Sequence, residues 1–437
     1  MTTWTNWGLS VEANPTGVEA NPTGVEHPAS TADVVAIVRA AAAAGRCVKA
    51  VGAGHSFSAI GATDGVLLHL DRMHNVLGWD MEVGRVRVQA GISLRDLNPI
   101  LRGHGLAFPN LGDIDPQSVA GAVSTGTHGT GGDLHGISNA VVGVQLVTAM
   151  GEVLEIDEQH EFFGASRVTL GALGIITEVT LQCVPAFLLH AREEPMALPE
   201  VLDRTDELIE DNDHFEFYWF PHTDKALIKR NNRVATDTDR RPVGRFKHWL
   251  DDEFLSNEGF DLINKVARRA PRLIPRINNL SASMLSAREY VDDSFNVFVS
   301  PRRVKFRESE FAVPRYALQD VLDELRAWLD AGHERITFPI EVRFAAADDV
   351  WMSTGHERDN AYVAVHQYYK TDYREYFAVA ESIFTEHEGR PHWGKIHTLD
   401  ADYLRKRYAR FDDFVAVRDQ LDPSRVFTND YLNRVLG

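Results

Sequence analysis

The stretch from residue 112 to residue 132 constrains the fold more than any other part of the sequence. It holds six glycines in 21 residues, together with the hydroxyls of Ser118, Ser124, Thr125, Thr127 and Thr130. Such a composition is commonly a flexible linker, but here apolar residues such as Val119 and Val123 are interleaved with the glycines. Glycines let a backbone approach a polar, anionic ligand closely. We therefore predict a buried loop that holds such a ligand.

A second glycine turn lies at residues 52–58, with the sequence GAGHSFS. It is not a dinucleotide fingerprint, because Phe57 stands where that motif needs glycine. Nor does it complete a nucleophile elbow, because Ser58 stands where that motif needs glycine. Two interpretations remain from these residues alone. The segment is either a tight turn with a solvated histidine, or a turn whose backbone N–H groups hold a diphosphate with His55 at its tip.

Two further segments read as strands with a polar face. In PIEVRFAA, at 339–346, alternation places Glu341 and Arg343 on one face and apolar residues on the other. In YVAVHQYYK, at 362–370, it aligns His366 and Tyr368. The pair of Glu341 and Arg343 is either an exposed ion pair or part of a pocket. In a pocket, the carboxylate would bind substrate hydroxyls and the guanidinium would stabilise a developing anion.

Other motifs exclude phosphate-loop and metal chemistry. GRPHWGK, at 389–395, resembles a P-loop, but Ile396 follows Lys395 where magnesium binding requires Ser or Thr. The P-loop motif therefore does not explain the function of Lys395. The zinc motif H-E-x-x-H does not occur, and the two cysteines, Cys47 and Cys183, cannot form a thiolate-rich metal site. We predict no bound metal.

The net charge and the distribution of apolar residues limit which partners the protein can bind and in which compartment it lies. The formal net charge is −18, with 63 acidic residues against 45 Lys and Arg, which disfavours nucleic acid and anionic lipid headgroups as partners unless one face locally reverses the sign. No apolar run approaches the roughly 18 residues of a membrane span. The first residues show no secretory pattern. We expect no membrane association and a reducing cytoplasm.

The order of segments predicts two domains and a C-terminal piece. Residues 11–17 and 18–24 repeat the heptapeptide VEANPTG, so we predict a flexible segment over 1–27 that carries no chemistry. Helices and short strands then alternate to residue 184, with Ser30 and Ser93 as helix caps. Residues 185–390 form a second domain. Residues 391–437 are too short to fold alone and should pack back on the rest.

Taken in order, seven motifs resemble the aldonolactone oxidoreductases, FAD enzymes of the vanillyl-alcohol-oxidase type, and notably their actinobacterial gulonolactone members. The motifs are VGAGHSFS, NLGDIDPQSVAGAVSTGTHGTGG, VTLGALGIITEV, FPIEVRF, VAVHQYY, PHWGK and DPSRVFTNDYL. The resemblance implies an α+β fold, with a two-part FAD-binding domain at 1–184 and an inserted α+β cap (substrate) domain at 185–390. It places the C-terminal segment, 391–437, at the interface of flavin and cap.

The resemblance also assigns residues to roles. Catalytic roles fall on Glu341, Arg343 and Lys395, and substrate binding falls on Asp113, His366 and Tyr368. FAD, linked covalently through His55, would be held by the two glycine loops and one strand. The implied residues are Val51, Gly52, Ala53, Gly54, His55, Ser56, Gly112, Ser118, Gly121, Thr125, Gly126, Thr127, His128 and Ile176.

The implied reaction oxidises an aldono-1,4-lactone, foremost L-gulono-1,4-lactone, to an ascorbate-type product by hydride transfer to flavin N5, with oxygen reduced to hydrogen peroxide. Gly112 stands where a small residue lets oxygen reach the flavin. Asp113 and Tyr368 replace a serine and a threonine of the alditol oxidases, which argues against a linear alditol. The alternatives are a dehydrogenase that uses a cytochrome or quinone, an alditol oxidase, a lactone hydrolase using Ser56, and a flavin- or sugar-binding protein without turnover.

Overall fold

The computed structural model describes residues 3–16, 24–243, 259–300, 304–332 and 334–437, without the side chains of Phe260 and Leu262. Its α-helices are α1 (Thr31–Ala43), α2 (Leu94–Gly103), α3 (Val119–Ser124), α4 (Phe163–Ser166), α5 (Leu198–Asp203), α6 (Thr205–Glu210), α7 (Phe260–Arg269), α8 (Ile274–Ser283), α9 (Ser294–Phe298), α10 (Leu318–Asp330), α11 (Arg374–Glu386), α12 (Ala401–Arg407), α13 (Phe411–Leu421) and α14 (Asp430–Leu436).

The strands form two groups along the chain. Those up to residue 185 are β1 (Trp4–Thr5), β2 (Glu12–Ala13), β3 (Val25–Glu26), β4 (Val48–Val51), β5 (Val66–His69), β6 (Val76–Asp80), β7 (Arg85–Gln89), β8 (Leu106–Ala107), β9 (Val141–Val147), β10 (Val153–Asp157), β11 (Ile175–Gln182) and β12 (Val184–Pro185). The later strands are β13 (Leu188–Ala197), β14 (His214–Trp219), β15 (Lys225–Val234), β16 (Arg288–Asp293), β17 (Phe306–Pro314), β18 (Ile340–Ala345), β19 (Asn360–Tyr368) and β20 (Arg390–Pro391).

The first domain combines two sheets of different topology. Strands β3, β5 and β4 form a small parallel sheet, while β10, β9, β11, β7 and β6 form an antiparallel sheet. Helices α1 to α3 and both sheets contribute to one hydrophobic core, with Val34, Val88 and Leu146 among its members. The caps of α1 and α2 are as predicted, because Ser30 and Ser93 each accept a hydrogen bond from a first-turn backbone N–H. This is the two-part arrangement expected from the sequence.

The second domain is built on one eight-stranded sheet, in the order β16-β13-β15-β14-β18-β19-β17-β20. Helices α5, α6, α10 and α11 cover one face of this sheet and form a second core. Ile340 and Val342 of β18 point into that core. Because side chains alternate along a strand, Glu341 and Arg343 point to the opposite face, and the predicted alternation is confirmed. That opposite face turns toward the glycine loops.

The C-terminal segment packs against the first domain. Helices α12, α13 and α14 contribute Leu404, Phe414 and Leu432 to the first core. The N–H of Val48 donates a hydrogen bond to the carbonyl of Val426 at 2.7 Å, which fixes the segment beside β4. This return is what the sequence predicts, although the domain boundaries themselves stay predictions.

The N-terminal segment departs from the sequence prediction. Strands β1 and β2 pair, and the buried side chain of Asn6 donates a hydrogen bond to the carbonyl oxygen of Ser56 at 2.8 Å. Trp7 stacks on His55, with 5.5 Å between ring centroids. Residues 3–16 therefore pack against the glycine turn, whereas residues 17–23 of the segment predicted to be flexible lie outside the described part of the chain. The residues that contact the glycine turn at 52–58 lie before the repeat: besides Asn6 and Trp7, the hydroxyl of Ser10 donates to the carbonyl oxygen of Phe57 at 2.9 Å.

None of the described helices has the length and apolar character to cross a membrane.

Candidate active site

The two glycine-rich segments face each other across a narrow cleft of about 120 Å³. Gly52 is packed so closely against the opposite loop that a Cβ there would lie 2.3 Å from the Oγ of Ser118. Ser118 in turn caps helix α3 by accepting a hydrogen bond from the N–H of Gly121 at 3.2 Å. Gly54 adopts a φ of +71°, a left-handed conformation that favours glycine. The cleft is thus a cradle of backbone and hydroxyl groups that larger residues would fill.

Most of the predicted cofactor residues line this cleft. They are Val51, Gly52, Ala53, Gly54, His55, Ser56, Ser118, Gly121, Thr125 and Ile176. Gly112, Thr127 and His128 line the larger cavity that adjoins it, while Gly126 lines neither and occupies a left-handed turn. Because His55, Ser56 and Thr125 line both spaces, the cleft and the cavity are continuous. A long ligand with an anionic middle, such as a dinucleotide, fits this shape.

The larger cavity has a volume of about 770 Å³ and lies between the 112–128 loop and the polar face of the cap sheet. Glu341 and Arg343 stand on its wall and form an ion pair, so the pocket interpretation of this strand replaces the solvent-face one. The Nε of Arg343 also donates to Glu216 at 2.9 Å, and its guanidinium lies 3.6 Å from Asp113. Burial would lower the pKa of Arg343, but the carboxylates of Glu341, Asp113 and Glu216 raise it well above its usual range.

Lys395 reaches the same cavity from the C-terminal segment. Its Nζ lies 2.5 Å from a carboxylate oxygen of Glu308 and 5.2 Å from the centre of the Phe57 ring. Burial opposes the charge of Lys395, but the nearby carboxylates of Glu308 and Glu310 raise its pKa above the ordinary value. The same pairing with Lys395, aided by His366, lowers the pKa of Glu308 to about 2 against the effect of burial. Both charges therefore persist at neutral pH.

His55 sits where the cleft opens into the cavity. Burial, followed by the positive charges of Lys395 and Arg95, lowers its pKa to about 4. The imidazole is therefore neutral at pH 7, and one ring nitrogen carries a free lone pair. Trp7 stacks on one side of the ring. A neutral, held imidazole at this junction is suited to forming a covalent bond to a ligand.

The structure does not bring His366 and Tyr368 to the cavity wall, in contrast to Asp113, which lines it. His366 lies behind Glu308, with 3.5 Å between its Nε2 and a carboxylate oxygen. The hydroxyl of Tyr368 donates to Asp261 of α7 at 2.8 Å. The neighbouring strand β17 pairs Glu308 with His366 and Phe306 with Tyr368, and the β17 residue of each pair lines the cavity. Direct contact of either residue with a substrate is therefore not supported.

Three residues on the cavity wall were missed by the sequence reasoning: Glu308, Glu310 and His392. Glu308 and Glu310 alternate along β17, in FRESEFAVP, and that alternation is a signal that could have identified them. Glu310 lies 3.2 Å from the Nε2 of His128, whose ring stacks on Tyr362.

His128, Glu310 and His392 together bring three ligand-type atoms within 4.8 Å of one another. They already engage protein partners, because the Nδ1 of His392 accepts a hydrogen bond from the N–H of Gly394 and that of His128 contacts the carbonyl of Gly129. The prediction of no metal stays a prediction.

Ser56 does not have the surroundings of a hydrolytic nucleophile. Among the described residues, no histidine or carboxylate forms a hydrogen bond with its hydroxyl, whereas an activated serine needs a base within reach. Its carbonyl oxygen accepts from Asn6 instead. The lactone-hydrolase alternative is therefore not supported by the geometry.

Comparison with known proteins gives separate family matches for the first and the second part of the chain. Residues 22–157 match the family model of an FAD binding domain, and residues 179–435 match that of D-arabinono-1,4-lactone oxidase. The chain is 43% identical to L-gulono-1,4-lactone dehydrogenase of Mycobacterium tuberculosis, over 99% of each protein. It is 36% identical to L-gulonolactone oxidase of Bos taurus (93% of this chain, 94% of the relative) and 32% identical to alditol oxidase of a Streptomyces species (94% and 95%).

Among solved structures, the chain resembles cholesterol oxidase from Brevibacterium sterolicum. The TM-score is 0.83 at 17% identity, over 100% of this chain and 96% of the other. At that identity the likeness concerns the fold alone. Together with the FAD-domain match, it confirms the predicted α+β fold with a two-part FAD-binding domain and a cap.

Proposed function

Since the chain belongs to the D-arabinono-1,4-lactone oxidase family of FAD-dependent oxidoreductases, we propose that it oxidises L-gulono-1,4-lactone to an ascorbate-type product and reduces molecular oxygen to hydrogen peroxide. The observation that carries this proposal is the buried ion pair of Glu341 and Arg343 on the wall of the 770 Å³ cavity, beside Asp113. A sugar lactone is uncharged and rich in hydroxyls. Carboxylate oxygens and guanidinium N–H groups are complementary to such a ligand.

The residues present fit FAD. The cleft at Gly52 and Ser118 is too tight for a side chain and suits a diphosphate, and the cavity beyond His55 has room for the flavin ring and a sugar. Bound there, FAD supplies the redox chemistry of the reaction. The protein's own contribution is binding, orientation and electrostatics.

We assign the polar residues of the cavity as follows. Glu341 accepts hydrogen bonds from the substrate hydroxyls, and Asp113 holds a further hydroxyl. Arg343 and Lys395 keep two fixed positive charges at the cavity wall, where they stabilise the negative charge that develops during oxidation. Each cation is held by carboxylates before the substrate arrives, so little rearrangement is needed at the moment of reaction.

An oxygen-electrode assay over a panel of aldonolactones and alditols tests this function. We expect the Glu341→Gln variant to lose at least about tenfold in kcat/KM for L-gulono-1,4-lactone, because a bound hydroxyl loses a charged acceptor. Glu324→Gln is the matched control, since Glu324 is an exposed glutamate of the cap. Unchanged turnover in Glu341→Gln would contradict the assignment of the pocket.

The electron acceptor has a second candidate, because the relative at 43% identity is named a dehydrogenase. In that case a cytochrome or quinone replaces oxygen. We favour oxygen because Gly112 leaves space at the cavity wall that a Cβ would occupy, 3.2 Å from the carbonyl oxygen of His128. Turnover in air, compared with turnover under nitrogen with an artificial dye, distinguishes the two. We expect Gly112→Ala to slow the oxygen reaction and to spare the dye reaction.

We also propose that His55 links FAD covalently. Its neutral ring at the junction of cleft and cavity supports this. After acid precipitation, yellow colour in the pellet is expected for the parent protein and colour in the supernatant for His55→Ala. Colour in the supernatant of the parent protein would rule out the link.

A further inference from the structure

The segment of the cap at residues 265–284 has an unusual distribution of side chains, and we name its exposed side the basic cap surface. The buried side chains of helices α7 and α8, within the described residues, are mostly small or polar: Asn264, Ala267, Asn278 and Ala282, with Ile274 as the one large apolar member. Several other large apolar side chains point outward, with Leu280 64% and Met284 68% exposed. Packing of a protein core requires the reverse orientation, so the outward apolar groups need another explanation.

Two further apolar side chains, Val266 and Leu273, are also exposed on this surface. The inward side is firmly attached to the cap. The side-chain amide of Asn278 donates to the carbonyls of Pro221 and Ile336 at 2.9 and 2.8 Å. The apolar groups are therefore displayed by an anchored part of the cap.

The charge of the same surface is opposite to that of the chain. Residues 265–284 contain Lys265 and four arginines and no acidic residue, in a chain of net charge −18. Arg268, Arg269, Arg272 and Arg276 are all exposed. Within the described residues, none of these four arginines forms an ion pair. Their charge is therefore available to an external partner.

We propose that the basic cap surface binds the surface of an anionic lipid bilayer. Leucine and methionine side chains enter the boundary between headgroups and acyl chains, while neighbouring arginines contact the phosphates, as in other interfacial helices. Nucleic acid would use the arginines but would leave the aliphatic side chains without a role. The expectation of no membrane partner rested on the absence of a long apolar run and on a net charge that repels anionic headgroups unless one face reverses its sign. An interfacial helix needs no long apolar run, and the basic cap surface does reverse the sign, so the expectation does not extend to this mode of binding.

Sedimentation of the FAD-loaded full chain with lipid vesicles tests the proposal. We expect the protein to pellet with phosphatidylglycerol–phosphatidylcholine vesicles at low salt, and not with phosphatidylcholine alone. Binding should weaken as salt is raised, because the headgroup charges are screened. Both Arg268→Gln/Arg272→Gln and Leu280→Ser/Met284→Ser should lower the partition coefficient about tenfold or more.

The control is Arg72→Gln/Met81→Ser, which changes one exposed arginine and one exposed methionine of the first domain. It should pellet like the parent protein, and lactone turnover in solution reports that every variant is folded. No pelleting with anionic vesicles, or equal pelleting of all variants, overturns the proposal. So does a dimer that the cap variants abolish, or retention by duplex DNA in preference to vesicles.

Discussion

Replacing Glu308 by glutamine removes the charge that holds Lys395, with almost no change in shape. The two groups lie 2.5 Å apart and their side chains are only 8% and 21% exposed. At an effective dielectric constant of about 20, charges at such a separation attract by roughly 7 kcal/mol before desolvation is subtracted. Removing one partner of a buried pair costs about 3–5 kcal/mol net. Glu310 remains near Lys395 and keeps part of the attraction.

The expected result is a loss of turnover and a shifted pH profile. If about 1.4–2.7 kcal/mol of the lost attraction appears as a higher activation free energy, because Lys395 is held less well near the reacting atoms, kcat falls about 10- to 100-fold at neutral pH. Glu308 raises the pKa of Lys395, so its removal lowers that pKa. Lysine is charged below its pKa. Activity that depends on charged Lys395 should therefore disappear at a lower pH in the variant, and should recover partly as the medium is made more acidic.

Steady-state rates with L-gulono-1,4-lactone over a range of pH measure both effects, with the flavin absorbance as a check on cofactor content. Ser309→Ala is the matched control on the same strand, because the Ser309 hydroxyl is buried and has no hydrogen-bond partner among the described residues. Glu308→Asp should restore part of the rate. A tenfold loss without any change in the pH profile would refute the reasoning, since Glu308 would then act independently of the charge on Lys395.

Three further results are expected. Gly52→Ala should lose FAD, seen as a lower ratio of flavin to protein absorbance, because its Cβ would collide with the opposite loop, whereas Gly103→Ala, with open space around it, should retain FAD. Asn6→Ala should lower the melting temperature, because it removes the hydrogen bond to Ser56 and those between the Asn6 side chain and Ser10 and Val11, at a cost of about 1 kcal/mol for each bond. Burial lowers the pKa of Lys49 to about 7 in the folded state. Between pH 7 and the ordinary lysine pKa, Lys49 is therefore protonated in the unfolded state and neutral in the folded state. Stability should therefore rise with pH across this window, and denaturant titrations should show a smaller rise in Lys49→Met.

The glycine loops and one strand of the site could be predicted from the sequence because each depends on local order. Close backbone approach needs glycine, so the density of glycine at 112–132 and around Gly52 indicates a cradle. Alternation along one strand was enough to place Glu341 and Arg343 on a shared face. The resemblance of motifs added the cofactor, and the family comparison confirms it.

What could not be predicted depends on register and on distant chain segments. Glu308 contacts Lys395, almost ninety residues later in the chain, because β20 pairs with β17. His366 is paired with Glu308 on the neighbouring strand, and of these two only Glu308 lines the cavity. Nothing in the sequence around Trp7 indicates where this residue packs. Its position follows from the tertiary contact with His55. Alternation identifies a face of a strand, but not which neighbours cover it.

The contacts between the last helices and the first strands have a consequence for biosynthesis. Val48 donates to Val426, and the side-chain amide of Asn429 donates to the carbonyl oxygens of Ala59, Ile60 and Ala62, next to the glycine turn. On the ribosome, we therefore expect the glycine turn to be held in place only after residues 426–429 have been translated. Flavin loading is then expected to follow translation, and stalled or shortened chains should remain colourless.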